Sequence, residues 1–253
     1  MKIITYNVNG IRAAIRKDFI SWLSATNADV VCLQEIKIQK KDFPYSLFEE
    51  LGYECYIYPA QKAGYSGVAI LSKRKPQEVV FGCGISRYDE EGRILRAVYE
   101  DVTVMSVYMP SGASRPERQQ FKLTFLEDFY DYIQDLKATV PPLVICGDYN
   151  ICHRAIDIHN PKANANSPGF TPTERAWFSN FLDLGYVDAF RHFNKEPHHY
   201  TWWSFKANAR ARNLGWRIDY QLIDSALIER AQKCVILSEA KHSDHCPVLS
   251  EID

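Results

Sequence analysis

Short apolar runs that end in polar residues recur along the chain and predict buried strands. The six clearest are KIITYNVN, DVVCLQE, GVAILS, VTVMSVYMP, PLVICGDYN and RIDYQLID. Their length and β-branched content are typical of strands, and each run delivers a polar tip to the edge of a sheet. Several strands are also expected in succession between Cys55 and Met109, without a helix. This order differs from simple βαβ winding.

Helical periodicity separates these runs. Four helices are expected, over Arg12–Ala25, from about Asp42 to Leu51, over Ser114–Ala138 and from Pro172 to the stop at Gly185. In the third, SRPE offers Ser114 as an N-cap with Glu117 reaching back to it. In the fourth, TPTE offers Thr171 as the cap, Pro172 at the first helical position and Glu174 closing the capping box. Strands and helices together predict an α/β fold, with mixed sheets packed on each other and helices outside.

Composition narrows the class of protein. With 253 residues, of which 46% are hydrophobic, the chain can bury an extensive core, and no linker divides residues 1–253 into domains. Its 30 basic and 31 acidic residues nearly cancel, so a polyanion site must be local. Seven cysteines without a CxxC pair favour a reducing cytosol over a disulfide framework. MKIITYNVNG lacks the apolar core of a signal peptide, and no apolar run approaches the ~20 residues of a membrane helix.

The polar tips of the predicted strands form one candidate site. They are Asn7, Asn9, Gln34, Glu35, Tyr108, Asp148, Asn150, Asp219, Asp244 and His245. Because α/β sheets hold ligands at strand ends, we expect these side chains to converge. Carboxylate and amide oxygens favour Mg²⁺ or Mn²⁺, whereas zinc prefers imidazole and thiolate. A metal, neutral donors and a base are the components that hydrolysis of a phosphate ester requires.

The segment HSDHCP near the end of the chain admits three chemistries. His242, His245 and Cys246 could bind zinc, Cys246 could be a nucleophile, and Asp244 with His245 could be an acid–base pair. Adjacent residues of an extended segment point in opposite directions, so neither Cys246 nor Asp244 is expected to pair with His245. A second pair of zinc ligands at suitable spacing is missing. The carboxylate that orients His245 must come from elsewhere, and Asp219 is the candidate.

Ten motifs carry a resemblance to a known family. In order they are NVNGIRA, LQEIK, GYSGVAILS, VYMPSG, GDYNICH, IDIHNPK, GFTPTER, YTWW, GWRIDY and SDHCP. From Ile3 to Pro247 the chain resembles the exonuclease III family of abasic-site DNA endonucleases, within the endonuclease/exonuclease/phosphatase superfamily. The resemblance implies a four-layer α/β sandwich, in which two mixed β-sheets pack together between helices and the site lies at one end.

The resemblance also implies roles for the strand tips. Glu35 would bind Mg²⁺, for which Mn²⁺ can substitute, and Asn7 would support that site and the catalytic Asp148. Asp148 would activate the attacking water, while Asn150 and Tyr108 would contact the phosphate.

The segment HSDHCP receives roles from the same resemblance. Asp219 would orient His245, which stabilises the phosphate, and Asp244 would lie near the metal, directly or through water. Asn9 stands where some members have an aspartate that shares the metal. An amide adds no charge, so weaker or more hydrated metal binding is expected.

A basic and aromatic tract predicts the surface that binds DNA. Residues 200–217, YTWWSFKANARARNLGWR, contain four basic residues and no acidic one. Mixed basic and aromatic residues suit a surface that binds phosphates and packs on an exposed sugar. By resemblance, Trp202, Trp216 and Ile218 would line the pocket for a flipped abasic sugar. Further expected DNA contacts are Lys37, Tyr65, Arg93, Arg115, Asn164 and Lys206, although Arg115 and Lys206 also fit an ordinary solvated surface.

These observations favour a Mg²⁺-dependent monomer that cleaves duplex DNA 5′ to abasic sites, leaves a 3′ hydroxyl and trims blocked 3′ ends. A predominantly 3′ to 5′ exonuclease is the nearest alternative. A phosphatase for inositol phosphates or phospholipids has no use for the tryptophan–arginine tract, and a purely binding protein has no need of the acidic residues. The absence of an extension before the first motif suggests a bacterial source, and hence a cytoplasmic, nucleoid-associated protein without a membrane partner.

Overall fold

Two six-stranded mixed sheets form the centre of the computed structural model, which describes all 253 residues. The first sheet contains, in spatial order, β13 (Ala231–Ile236), β14 (Val248–Ile252), β1 (Lys2–Asn7), β2 (Val30–Gln34), β4 (Val68–Ser72) and β3 (Glu54–Tyr58). The second contains β5 (Glu78–Phe81), β6 (Ile94–Val98), β7 (Thr103–Tyr108), β8 (Leu143–Asp148), β12 (Asp219–Asp224) and β9 (Tyr186–Asp188). A separate small hairpin pairs β10 (Trp202–Trp203) with β11 (Gly215–Trp216).

Seven α-helices accompany the sheets. They are α1 (Ile11–Ile15), α2 (Phe19–Thr26), α3 (Tyr45–Glu49), α4 (Ser86–Asp89), α5 (Pro116–Leu136), α6 (Pro172–Leu182) and α7 (Ala189–Phe193). Short 3₁₀ turns occupy Lys40–Asp42, Ala155–Asp157, Lys206–Asn208 and Ser225–Arg230. No helix is both long enough and apolar enough to cross a membrane.

Three apolar cores give the fold its four layers. Between the sheets, side chains such as Val30 and Cys32 of β2 pack in one cluster with Val144 of β8. Aromatic residues of α2 and α3 cover the outer face of the first sheet, and those of α5 and α6 cover the outer face of the second. The helix–sheet–sheet–helix arrangement confirms the expected four-layer sandwich.

Two predicted helices are interrupted. The helix expected over Arg12–Ala25 is two helices, because the backbone leaves the helical conformation at Asp18, which has a φ of 69°. The helix expected from about Asp42 to Leu51 becomes a 3₁₀ turn and the one-turn helix α3, with Pro44 at its N-cap. The stretch between Cys55 and Met109, expected without a helix, holds the four-residue α4.

The two predicted capping boxes have opposite outcomes. At α6 the Thr171 hydroxyl accepts from the Glu174 amide at 3.3 Å, and the Glu174 carboxylate accepts from the Thr171 amide at 3.1 Å, so this box is confirmed. At α5 the prediction is wrong, because Arg115 is the N-cap and the first helical residue is Pro116. Ser114 therefore lies one residue too early to cap the helix.

Strand register brings the polar tips together at one end of the sandwich. Strands β1 and β2 are parallel with Asn7 beside Gln34, and β7 and β8 are parallel with Tyr108 beside Asp148. Strand β12 is antiparallel to β8 and begins with Asp219 opposite Asp148. Because parallel strands end at the same edge, both sheets deliver polar side chains to a shared rim.

Candidate functional site

A single buried amide joins two carboxylates at the rim. The Asn7 side chain is fully buried, and its Nδ2 donates to Glu35 Oε1 and to Asp148 Oδ2, each at 2.8 Å. Its Oδ1 accepts from the backbone amide of Asn9 at 3.0 Å, which fixes the orientation of the side-chain amide. Glu35 has a φ of 50°, a left-handed conformation that turns the chain sharply after β2. Asn7 thus links a carboxylate of the first sheet to one of the second.

His245 is held from the opposite side. Its Nδ1 lies 2.9 Å from Asp219 Oδ2, and its Nε2 lies 3.9 Å from Asp148 Oδ2. Burial lowers the pKa of His245, yet the charge and hydrogen bond of Asp219 outweigh burial and raise the pKa to about 10. Burial and then the charge of Asp219 raise the pKa of Asp148 to about 7. The expected Asp219–His245 partnership is present in the structure, with the imidazole aimed at Asp148.

Replacing Asp219 by Asn should return the His245 pKa from about 10 toward neutrality, because Asp219 is the neighbour that raises it most and the amide carries no charge. A raised folded-state pKa stabilises the fold fully below the unfolded value of ~6.5 and loses that contribution as pH rises toward the folded value. The variant should therefore lose stability at pH 6 and little at pH 11. NMR titration of His245 in the metal-free protein measures the change in its pKa. An unchanged His245 pKa in the variant would contradict the prediction.

Three side chains form a candidate cation site. One ligand atom from each of Glu35, Asp148 and His245 lies within 4.8 Å of the other two. Burial raises the pKa of Glu35, but the neighbouring Lys37 ammonium and the Asn7 amide more than compensate and lower it. An ionised, partly exposed carboxylate beside a second carboxylate is a donor set suited to a hard divalent cation.

The residues expected on the metal side are already engaged with one another. Lys37 Nζ lies 2.8 Å from Glu35 Oε2 and also donates to the Asn9 amide oxygen. Asn9 Nδ2 donates to Asp244 Oδ1 at 2.9 Å, and Trp202 Nε1 donates to Asp244 Oδ2 at 3.0 Å. A hydrogen-bonded chain therefore runs from Glu35 through Lys37, Asn9 and Asp244 to Trp202. Asp244 is not among the carboxylates of the three-residue cluster.

Asn150 and Tyr108 border the same site. Asn150 has a φ of 52°. Its backbone N–H donates to Asp148 Oδ1 at 2.8 Å, and its side-chain Nδ2 donates to the Met109 carbonyl at 3.0 Å. Tyr108 is 9% exposed, and burial followed by the charges of Glu35 and Asp148 raises its pKa well above the ordinary value. Tyr108 therefore remains a neutral phenol that can donate a hydrogen bond into the site.

A pocket of about 430 Å³ opens directly onto these groups. Trp202 and Trp216 stand at right angles with ring centroids 6.2 Å apart, on paired positions of the β10–β11 hairpin. Ile218 lines the same pocket and joins a small apolar cluster beneath it. Gly169 forms another part of the wall, where a Cβ would lie 2.9 Å from the Asn150 carbonyl oxygen. The pocket combines an apolar wall with the Asp148–His245 pair.

Of the predicted DNA contacts, Arg93 lies inside the protein. Its side chain is 1% exposed, its Nε donates to Glu91 at 2.6 Å, and its Nη1 donates to the Tyr108 carbonyl at 2.7 Å. The guanidinium also lies 4.9 Å from the centroid of the Tyr108 ring. Arg93 thus supports Tyr108 from behind. Arg118, which the sequence did not single out, is 22% exposed and donates to the Tyr65 hydroxyl at 3.0 Å.

The remaining predicted contacts lie on loops. Asn164 donates through Nδ2 to the carbonyls of His159 and Asn160, and so braces the loop that carries it. Arg115 is exposed at the N-cap of α5, and Lys206 is exposed in the 3₁₀ turn after β10.

The structure separates the residues of HSDHCP. Cys246 Sγ donates to the Tyr200 carbonyl at 3.6 Å, and burial raises the pKa of this thiol. His242 packs among Tyr6, Phe19 and Trp22, with Nδ1 3.4 Å from the Tyr6 hydroxyl. All seven cysteines are free. Neither the zinc interpretation nor the nucleophilic thiol is supported by these positions.

Sequence reasoning missed the buried ion pair behind the site. Lys122 and Glu174 are both fully buried and paired, and Lys122 Nζ also donates to the Asn150 carbonyl at 2.7 Å. Glu174 accepts from the Gly169 amide at 2.8 Å. One signal was available, since Lys122 precedes Phe125, Leu126 and Phe129 at the helical spacing of the apolar face of α5.

A second buried network fixes the segment between the pocket and Asp219. Arg217 donates to Asp157 Oδ1 at 2.7 Å and to Asp188 Oδ2 at 2.6 Å, and Arg191 donates to the same Asp157 oxygen at 2.8 Å. Two guanidinium groups therefore balance two carboxylates. Arg217 lies between Trp216 and Ile218 in sequence, so the network anchors the backbone that presents both pocket residues.

Comparison with known proteins agrees with this geometry. The model of the Endonuclease/Exonuclease/phosphatase family matches residues 4–245. An exodeoxyribonuclease of Bacillus subtilis is 44% identical over 250 residues, covering 98% of each chain. The DNA repair nuclease APEX1 of Danio rerio is 38% identical, over 98% of this chain and 81% of its own. The solved AP endonuclease of Archaeoglobus fulgidus superposes with a TM-score of 0.92 at 34% identity, covering 100% of this chain and 99% of the other.

Proposed function

Because the chain belongs to the endonuclease/exonuclease/phosphatase family, we propose that it is a metal-dependent DNA repair nuclease that hydrolyses the phosphodiester 5′ to abasic sites. The observation that carries this proposal is the junction of the tryptophan-walled pocket with the Asp148–His245 pair. A sugar without a base can enter a narrow apolar pocket, whereas a nucleotide with its base is excluded by size. The names of the similar proteins include an exodeoxyribonuclease and an AP endonuclease, which supports a nuclease of this class.

Glu35, with Asp148 nearby, is proposed to hold Mg²⁺, for which Mn²⁺ can substitute. The fit rests on the two carboxylates of the cluster, because its third member, His245, is held cationic by Asp219 and donates to the phosphate instead. Bound there, the cation neutralises charge that develops on the phosphate. Asn7 donates to Glu35 Oε1, and Lys37 pairs with Glu35 Oε2. The site is therefore proposed to hold a cation with few protein ligands.

The protein groups divide the remaining chemistry. Asp148 accepts the proton of the attacking water, and its pKa of about 7 keeps it basic enough for that task near neutral pH. His245, held cationic by Asp219, donates from Nε2 to a phosphate oxygen. Asn150 and the neutral phenol of Tyr108 donate to the same phosphate and orient it. Asn7 keeps Glu35 and Asp148 at a fixed separation.

The substrate is proposed to be duplex DNA with abasic sites or blocked 3′ ends, bound by a monomer. Both sheets contribute side chains to the site. We also propose that residues 1–253 act as one catalytic domain, because the central core is shared by strands of both sheets. A predominantly 3′ to 5′ exonuclease is the second candidate, favoured by the identity with the Bacillus subtilis protein.

The deciding experiment compares duplexes that carry a central abasic analogue, a normal base, or an intact recessed 3′ end, each with Mg²⁺ or with EDTA. We expect incision 5′ to the analogue, leaving a 3′ hydroxyl, only with Mg²⁺. Faster digestion of the recessed end would favour the exonuclease. Mg²⁺-independent cleavage, or cleavage of none of the three duplexes, would refute the proposal.

Arg118 is proposed to contact a DNA phosphate together with Tyr65. Replacing Arg118 by Gln should lower affinity for any duplex and reduce the slope of log K against log salt by about one, the change expected for one lost phosphate contact. Fluorescence anisotropy with catalytically blocked substrate in EDTA, repeated over a salt series, measures the slope. Arg87→Gln on the surface-exposed α4 is the matched control, because Arg87 pairs with Asp128 as Arg118 pairs with Glu91, but Arg87 has no hydrogen bond to Tyr65. Equal slopes for wild type and Arg118→Gln would exclude the contact.

A further inference from the structure

Asp244 has both carboxylate oxygens engaged by uncharged donors. Oδ2 accepts from Trp202 Nε1 at 3.0 Å. Oδ1 accepts from Asn9 Nδ2 at 2.9 Å and from Ser243 Oγ at 3.1 Å. Asp244 also lies outside the cluster of Glu35, Asp148 and His245 that can share a cation. The carboxylate therefore already holds three neighbouring side chains, those of Trp202, Asn9 and Ser243.

Trp202 is the side chain that depends most on this carboxylate. It stands on a two-residue strand that pairs with the equally short β11 on one side and forms a backbone bridge with His245 on the other, and its neighbour Trp203 is turned the other way. The indole N–H is the one polar group of its side chain, and a hydrogen bond to a carboxylate is stronger than one to a neutral acceptor. Backbone pairing places the Cα of Trp202, and the bond to Asp244 fixes the rotation of its ring about the side-chain dihedral angles.

The opposite wall of the pocket is held differently. The Trp216 indole makes an edge contact with Trp202, and its own N–H donates to no protein group. Its position is instead set by packing and by the neighbouring Arg217, which is anchored to Asp157 and Asp188. Trp202 is thus held by a hydrogen bond, whereas Trp216 on the opposite wall is held by packing.

We propose that Asp244 is a positioning residue for Trp202, and that it determines how strictly the pocket selects a sugar without a base. This inference rests on the proposed function, because selection between abasic and intact nucleotides is the property that Trp202 controls. The chain from Asp244 through Asn9 to Lys37 adds a constraint. Since Lys37 holds the Asn9 amide oxygen, Asn9 must turn its nitrogen toward Asp244.

That constraint makes Asp244→Asn an informative variant of nearly unchanged shape. An amide at position 244 has one oxygen for two donors, Trp202 Nε1 and Asn9 Nδ2, and its own NH₂ group must face one of them. On the Oδ1 side there are two donors, Asn9 and Ser243, and on the Oδ2 side only Trp202, so the amide oxygen should stay on the Oδ1 side and the bond to Trp202 is the one lost. Trp202→Phe removes the same bond from the other side, and Trp216→Phe removes an N–H that has no protein partner, which makes it the matched control.

The test is a double-mutant cycle on selectivity at saturating Mg²⁺. The ratio of kcat/KM for an abasic duplex to that for a normal-base duplex should fall about tenfold in Asp244→Asn and in Trp202→Phe, the effect of one charge-assisted bond. The double variant should fall no further than either single one, because both remove one interaction. Asp244→Asn combined with Trp216→Phe should be additive. The Kd for Mn²⁺ alone, from calorimetry, should stay within about twofold of wild type.

Two results would overturn the inference. Additive losses in Asp244→Asn/Trp202→Phe would show that Asp244 acts elsewhere, and Mn²⁺ binding weakened tenfold or more in Asp244→Asn would make it a metal ligand. The indole N–H resonance of Trp202, assigned by its absence in Trp202→Phe, gives a readout independent of cleavage. In Asp244→Asn it should shift and exchange faster with solvent, while the Trp216 resonance is unchanged. If wild type cleaves neither duplex, the proposed function fails, and this NMR comparison still decides whether Asp244 holds Trp202.

Discussion

Replacing Asp148 by Asn should lower kcat for cleavage at an abasic site by about 10³-fold, with a much smaller change in DNA affinity. The amide keeps the size of the carboxylate but has no basicity, and loss of a general base costs about 10²–10⁴ in rate. Asp148 is 1% exposed, so water cannot readily substitute for it. It also lies 3.9 Å from His245 Nε2 and opposite Asp219, so the substitution removes the charge on which the site is centred.

Single-turnover rates at saturating Mg²⁺, with DNA affinity measured separately in EDTA, distinguish this effect from weakened binding. Asp131→Asn is the matched control, because Asp131 lies on the exposed face of α5, remote from the strand tips. It should leave the rate unchanged. A decrease of less than tenfold in Asp148→Asn would mean that another group activates the water.

Lys122→Met should lower the free energy of unfolding by about 3–5 kcal/mol, the usual cost of removing one partner of a buried ion pair. Methionine fills nearly the same volume, so the loss comes from charge rather than from a cavity. It leaves Glu174 fully buried without its cation. It also removes the Lys122 donor that lies 2.7 Å from the Asn150 carbonyl oxygen. Asn150 already has a left-handed backbone conformation, with a φ of 52°. Denaturant unfolding of the metal-free protein measures the change.

Two further variants make this result interpretable. Lys122→Met/Glu174→Gln leaves no unpaired buried charge, so it should be more stable than Lys122→Met alone. Lys233→Met makes the same substitution at the exposed pair with Glu251, 2.9 Å apart, where a loss of about 0–1 kcal/mol is expected. A similar decrease in the free energy of unfolding for Lys122→Met and Lys233→Met would mean that burial does not strengthen the Lys122–Glu174 pair.

Local interactions were the part of the fold that the sequence predicted well. The Thr171–Glu174 box joins residues three apart, so it could be recognised from residue types and spacing. The Ser114–Glu117 pattern failed because α5 begins at Pro116, with Arg115 as the N-cap, one residue later than this pattern requires. All six predicted apolar runs are strands in the structure. Their β-branched residues suit the interior of a sheet, and their polar ends suit its edge.

Long-range partners were beyond local reasoning. Arg93 looked like a surface cation, yet the fold surrounds its guanidinium with Glu91, Tyr65 and Tyr108. Lys122 and Glu174 are 52 positions apart, and no short pattern reveals that they meet. Asp219 was an exception, because it was a strand-tip candidate and the family resemblance assigned it to His245. For Asp244, residue type alone was an incomplete guide, because a carboxylate suits a metal ligand. Its hydrogen bonds to Trp202 and Asn9 are the basis for proposing a positioning role.

The pairing across the two sheets also has a kinetic consequence. Asn7 meets Asp148 across 141 positions of sequence, and His245 of the segment leading to β14 meets Asp219 of the other sheet. Contacts of such long range form late in folding, after loops of high entropic cost have closed. No single sheet contains the site, so a chain whose sheets have not docked lacks the complete site. During refolding, catalytic activity is therefore expected to report the docking of the sheets rather than the recovery of secondary structure.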